Sequence, residues 1–359
     1  MKDGGPFGMF GMRFLLVGVV PMYAAGVFLL VLVWAGAPGR LRFADAWETV
    51  EGLKAGEAAL LTVTLLLVAL LTVPFQLRLT RLLEGFWPAW TPGAAHLRRR
   101  AALQAKTLQD TADLLLNGPP TEDELCHAGE LEAEATRLRS GTVSDEVARL
   151  AGEAEAEAAR LRSGAPSAGE VQRAGELQEV RRKRYPAAGT HLRATRLGNR
   201  LAAAEQLAGR AYGWDAVVAW PRLYPVLGAE TRKLVDERRD TLDTSVRLAA
   251  VGAVTAVVAF GLLAASGWWV LLAGVPLVVA LAAYQAAVES AEAYGEALTV
   301  AFDLHRFDLL RALRLPLPAD RAAERAQARE LCEFWRQGRP VALVYDPAEP
   351  LNNNLRGGD

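Results

Sequence analysis

The chain has 359 residues, with 40 Lys plus Arg against 41 Asp plus Glu, a formal net charge of −1, and 52% hydrophobic residues. This balance excludes an acidic disordered tail protein and a strongly basic nucleic-acid binder. The two cysteines, Cys126 and Cys332, exclude a disulfide framework and a thiolate zinc centre.

The apolar residues gather in blocks. Residues 14–34 form an uncharged run long enough for a bilayer core, which needs about 20 residues. Ala35-Gly36-Ala37 mimics a signal-peptidase site, but the run exceeds the usual apolar region of a signal peptide, so it reads as a retained anchor. Residues 58–75 form a second run, 248–264 a third and 268–288 a fourth. A soluble domain of this size rarely holds four helices that are apolar on every face. Only Ala265, Ser266 and Gly267 separate the last two runs, which therefore form a tight antiparallel hairpin; residues 35–57 read as a longer loop between the first two.

Orientation follows the Lys and Arg near the span ends. The 35–57 loop mixes Arg40, Arg42 and Lys54 with four acids, whereas Arg78, Arg81, Arg98, Arg99 and Arg100 follow the second span and Arg232, Lys233, Arg238, Arg239 and Arg247 precede the third. The middle region and both termini are expected to be cytoplasmic, in a plasma-membrane protein. Trp34, Trp268 and Trp269 would then mark the outer interface, and Trp87 and Trp90 the inner one. Pro74 kinks the second span, and Leu77–Trp87 reads either as an interfacial amphipathic turn or as a continuation of the same helix.

In the middle region a helix is predicted over 94–116, and Thr121 with Glu124 makes a capping-box start for the next. GELEAEATRLRSG at 129–141 recurs as GEAEAEAARLRSG at 152–164, a period of 23 with eleven of thirteen positions identical. Each copy reads as one surface helix ending at Ser-Gly. Residues 163–170 read as a linker. Arg181, Arg182, Lys183 and Arg184 form a basic cluster suited to anionic headgroups, or equally to a solvated helix C-terminus. A helix over 191–212 leads to the aromatic stretch 212–227, where two prolines and Gly213 forbid one continuous helix.

Residues 229–264 read as one helix and 268–314 as its antiparallel neighbour. Counting outward from the turn places Arg239 near Glu292 and Glu296, and Arg232 near Thr299 and Asp303. These interhelical charges would set alignment more than stability. Asp303, His305, Arg306 and Asp308 invite an enzyme or metal reading, but these residues do not supply the Glu-x-x-His pattern on paired helices that a carboxylate-bridged centre needs. P-loop, GxSxG and HExxH motifs are missing from the sequence. No catalytic residue, cofactor or metal is therefore assigned. The spans carry no ionisable residue, which argues against ion-coupled transport, and they offer small residues at helix-contact spacing, such as Gly252 with Ala256.

The segments LTRLLEGFWP (79–88), RAYGWDAVVAWPRLYPVL (210–227) and EAYGEALTVAFDLHRFDLLRALRLPLP (292–318) resemble stretches of uncharacterised multi-pass membrane proteins of high-GC (actinobacterial-type) bacteria. The resemblance implies a membrane protein and brings no activity. The layout is also similar to that of bestrophin-type anion channels, by architecture alone.

The expectation is an all-α integral membrane protein with four spans in two hairpins. Residues 1–75 hold the first hairpin, 76–246 a cytoplasmic helical region, 247–288 the second hairpin, and 289–359 a helical extension with a flexible tail. The expected function is a non-catalytic anchor or scaffold that binds a cytoplasmic protein partner and the lipid bilayer, without nucleic acid. The alternative is a homo-oligomeric pore lined by Thr62, Thr64 and Thr72, such as a membrane effector of a bacterial defence or toxin system.

Overall fold

The computed structural model describes residues 19–88, 91–141, 144–187, 192–338 and 344–345, and all regular structure among them is helical. The elements are α1 (Val20–Trp34), α2 (Phe43–Gly52), α3 (Ala55–Leu83), α4 (Pro92–Asn117), α5 (Glu122–Ser140), α6 (Asp145–Ser163) and α7 (Ala168–Arg184). They continue as α8 (Arg196–Leu207), α9 (Ala216–Leu223), α10 (Ala229–Leu263), α11 (Gly274–Ala312) and α12 (Arg321–Gln337). The chain divides into two compact units, one of Met1–Ala95 with Pro186–Asp359 and one of His96–Tyr185.

Two helical stretches, Ala229–Leu263 and Gly267–Ala312, are long and apolar enough to cross a membrane. The pair Phe43–Gly52 and Ala55–Ala69, bent by 113°, makes a third if it acts as one span. Val20–Trp34 is apolar but has only 15 residues, and residues 14–18 of the expected first span lie outside the described residues.

The first unit is built on α10 and α11. A small-residue seam lets them approach: a Cβ on Gly252 would stand 3.0 Å from both the Ala280 nitrogen and the Pro276 carbonyl oxygen. Buried Ala249, Ala256, Ala259, Ala283 and Ala287 extend this seam. About 20 residues further along α10, roughly 30 Å at 1.5 Å per residue, Thr231 meets His305 at 3.0 Å. The same antiparallel pairing thus runs from the apolar half of both helices into their charged half.

At the apolar end the first hairpin packs on the turn of the second. Leu32, Ala35, Leu41 and Ala46 bury against Ala259, Leu263 and Ala273. The Ser266 hydroxyl donates to the Gly39 carbonyl at 2.8 Å, and the Phe43 ring meets Trp269 edge-on at 5.1 Å. The segment 35–57 is therefore more than a loop, because Phe43, Ala46, Trp47 and Val50 fall at helical spacing and form one face of α2. After α2, α3 keeps a helical backbone across Pro74 to Leu83, so the segment from Leu77 begins as a continuation of the span helix.

The end of α3 docks on the start of α8. Gly85, at φ +82°, sits where a Cβ would meet the Thr195 nitrogen at 2.8 Å, and a Cβ on Gly198 would stand 1.8 Å from the Glu84 carbonyl oxygen. Thr195 caps α8 by accepting from the Gly198 amide at 3.1 Å. The other face of α8 lies on α11, where a Cβ on Gly295 would stand 2.6 Å from that of Ala204.

In the second unit Thr121 and Glu124 form the predicted capping box of α5, and Ser167 with Glu170 forms another at α7, within the stretch read as a linker. The two copies of the 23-residue repeat pair with each other. Arg139 of the first copy bonds Glu155 of the second at 2.7 Å, and the equivalent Arg162 of the second bonds Glu132 of the first at 2.6 Å. The α5–α6 hairpin is thus internally two-fold in its ion pairs.

Candidate functional site

The charged half of α10 and α11 is packed by the aromatic stretch and α12. Phe302 is the largest fully buried side chain of a core that includes Trp214, Leu223, Val235, Leu309, Leu310 and Leu331. Its ring lies 6.4 Å from Trp220, and Trp214 stacks on Trp335 at 6.0 Å. The 212–227 stretch folds as the short helix α9, capped by Asp215 and carrying Pro221, between single turns at Arg210–Tyr212 and Tyr224–Val226. Its aromatic residues are mostly core, as their clustering implies.

Arg306 ties α12 to this core. It donates to Glu324 at 2.7 Å, with both side chains largely buried, and its guanidinium lies 3.9 Å from the Tyr212 ring centre and 4.4 Å from that of Phe307. His305 joins the two long helices: Nδ1 faces Asp308 at 2.9 Å and Nε2 faces the Thr231 hydroxyl at 3.0 Å. With the proton on Nδ1 held by Asp308, Nε2 accepts from Thr231. Among the described residues no group of three or more His, Cys, Asp or Glu side chains is arranged to hold a metal ion.

Between α8, the Gly213–Asp215 corner and α12 lies a cleft of ≈ 780 Å³. Arg329, Cys332, Glu333 and Arg336 of α12 line it at steps of three, one and three, so they share one helix face. Glu205 and Ala202 of α8 stand across from them, with Arg193 and Arg210 alongside. Two of the carboxylates are neutralised within the cleft: Glu205 lies 3.6 Å from Arg193, and Asp215 bonds Arg336. Burial outweighs Arg193 and raises the Glu205 carboxyl above its ordinary range. Burial likewise raises the Cys332 thiol, whose sulfur accepts from the Asp215 amide at 3.3 Å.

The charged residues picked out by sequence have definite neighbours. Glu292 pairs with Arg200 of α8, a residue sequence reasoning did not select. Arg239 lies 4.0 Å from Asp243 on its own helix. Arg232 donates to the carbonyls of Pro225 at 2.9 Å and Tyr224 at 3.3 Å and covers the Tyr224 ring, so it fastens the turn before α10. Burial, together with the neighbouring Asp303 carboxylate, raises the Tyr212 phenol above its ordinary range. Glu296 is exposed one turn beyond Glu292. Arg181, Arg182, Lys183 and Arg184 form the last turn of α7, where Lys183 pairs with Glu179 at 3.1 Å. Trp87 donates to the Leu82 carbonyl at 2.7 Å, and Trp90 lies outside the described residues. Thr62 and Thr64 turn their hydroxyls back to the carbonyls of Ala58 and Leu60, while the side chain of Thr72 is outside the described set.

No family model matches this chain, and no curated protein or solved structure matches it.

Proposed function

We propose that the chain is a non-catalytic multi-pass membrane anchor and scaffold whose cytoplasmic helices bind a protein partner. Continuity carries this reading: α10 and α11 run unbroken from an apolar small-residue seam into the charged, aromatic base. A partner docked on the base is then mechanically joined to the membrane segment. Large apolar side chains left exposed on the apolar half, such as Val257, Phe260, Val278 and Leu281, suit contact with lipid tails.

In this reading α1 and α3 complete four spans. Helix α2, with Phe43, Trp47 and Val50 exposed, lies along the outer headgroups. Both ends and the middle region face the cytoplasm of a bacterial cell, and Trp87 with the Arg181–Arg184 cluster meets the inner headgroups.

Alkaline carbonate extraction and a cysteine accessibility scan test the membrane half. The chain is expected to stay in the membrane, and Arg184→Cys, in a background lacking Cys126 and Cys332, is expected to react only from the inner side. Release by carbonate, or labelling from outside, overturns the topology. The size of the purified chain in detergent tests the scaffold half, with a monomer or dimer expected. A ring-sized oligomer that conducts in planar bilayers overturns it and favours a pore.

A further inference from the structure

The cleft beside α12 has features that core packing does not account for. Its lining sets four arginines against three carboxylates: Arg193, Arg210, Arg329 and Arg336 against Glu205, Asp215 and Glu333. Arg193 and Arg336 are occupied by Glu205 and Asp215. Arg210 and Arg329 have no hydrogen-bond or ion-pair partner among the described residues, and both are exposed at the cleft. They come from different elements, the turn after α8 and the middle of α12, so the fold brings together two free guanidinium forks that are 119 positions apart in sequence.

Trp214 forms part of the same wall. It is only 4% exposed, and its indole Nε1–H is buried with no acceptor among the described residues. The stacking of Trp214 on Trp335 holds the indole in place.

We propose that this cleft binds a small organic anion carrying a phosphate group, gripped by Arg210 and Arg329. Guanidinium forks match phosphate oxygens in paired geometry, and a tetrahedral phosphate offers more acceptor oxygens than a carboxylate and does not confine them to one plane. The cleft volume of ≈ 780 Å³ falls in the range of small-molecule sites and leaves room for an organic remainder beside Ala202 and Val217. A free metal cation is disfavoured, because two of the three carboxylates are already neutralised by arginine. The site stands independently of the scaffold reading, since a ligand can bind here whether or not a protein docks elsewhere.

The same chemistry could come from a soluble phosphate compound or a lipid headgroup, and one experiment separates them. The full chain in neutral detergent is titrated with pyrophosphate by calorimetry, then repeated in nanodiscs of phosphatidylcholine with and without phosphatidic acid. Saturable binding of pyrophosphate is expected, weakened about tenfold or more by Arg210→Ala or Arg329→Ala. Both side chains are exposed, so these variants keep the fold, which circular dichroism checks. Competition by phosphatidic acid that disappears in the arginine variants supports the site with a headgroup as its source; undisturbed pyrophosphate binding in those nanodiscs supports it with a soluble source. Absence of saturable binding to either probe overturns the proposal, as does binding that the Arg210→Ala/Arg329→Ala double variant leaves unchanged.

Discussion

The two compact units of this chain are both helical, yet they are held by different forces. The first buries large side chains, among them Phe302, Leu309, Leu310, Leu223 and Leu263, and its helices meet through glycine and alanine only where backbones must come close. In the second, the buried positions are Ala101, Ala112, Ala128, Ala135, Ala151, Ala158, Ala174 and Leu161, so Leu161 is the only buried side chain there larger than alanine among the described residues. Alanine at seven-residue spacing in α5 and α6 permits a close helix pair but removes little apolar area from water. The Thr121–Glu124 capping box of α5, the Ser144 cap of α6 and the inter-repeat ion pairs specify that pair instead. The contrast teaches that helix content says little about stability: volume buried by tertiary contact dominates one unit, and local helix-end chemistry dominates the other.

The sharpest way to break the comparison is to empty the large-residue core. Phe302→Ala is expected to destabilise the first unit by about 3–5 kcal/mol, read as a lower melting temperature in detergent and faster proteolysis near α12. Next comes the docking of α3 on α8. Gly198→Ala places a methyl group against the Glu84 carbonyl, a backbone atom that cannot swing aside, and should cost about 1–3 kcal/mol or more by overpacking. Melting of the Gly198→Ala chain within a degree of the parent would show that this junction is soft.

Much of the first unit was legible because its signals are local. A proline-free run predicted one helix over 229–264, and the helix is Ala229–Leu263; prolines and Gly213 predicted the broken aromatic stretch that became α9 and its flanking turns. The helix α2 was missed because its charged residues masked about two turns of apolar spacing at Phe43, Ala46, Trp47 and Val50. Helix α12 carried a plain signal that was not used: Asp320 as its cap, Ala328, Leu331, Cys332 and Trp335 at helical spacing, and Gly338 at its end. The cleft could not be read in advance. Arg210 and Arg329 are ordinary surface arginines until the packing of α12 on the aromatic core sets them together, and the same holds for Arg200 with Glu292. The 23-residue period was visible, but a period does not say that its two copies pair antiparallel, as the Arg139–Glu155 and Arg162–Glu132 bonds show.

In the second unit the expected effects are smaller and of a different kind. Ala158→Leu should cost about 1–3 kcal/mol, because the α5–α6 interface has no space for a branched chain beside buried Ala128 and Leu161. If the melting temperature instead rises, the interface is looser than its alanine packing implies and the contrast with the first unit fails. The ion pairs come below that. Arg139→Glu sets like charges across the repeat, and adding Glu155→Arg should recover the difference, an interaction within about 0–1 kcal/mol for such exposed groups. The repeat symmetry makes a stricter demand: Arg162→Glu with Glu132→Arg should give the same cycle, and a coupling present in one pair but lost in the other would break the two-fold description.

The finest distinction is in the sign of a pH dependence. Glu205 in the first unit has its carboxyl raised by burial, so the folded chain takes up a proton there more readily than the unfolded chain. Its cost is absent below the ordinary carboxyl range, appears as pH rises through the raised value, and persists at neutral pH. Glu205→Gln should therefore melt slightly higher than the parent at neutral pH, within about 0–1 kcal/mol given the solvent around this half-exposed group, and the gap should close on acidification. Glu124 in the second unit is the opposite case. The amide and hydroxyl of Thr121 bond its carboxylate and lower its carboxyl below the ordinary range. Its stabilisation is present above that range and is lost as pH falls through the lowered value. Glu124→Gln should melt below the parent at neutral pH and converge with it in acid. Melting curves of both variants against pH decide the matter: two profiles of opposite sign support burial as the dominant influence in one unit and capping in the other, whereas two profiles of the same sign would mean the units are governed alike.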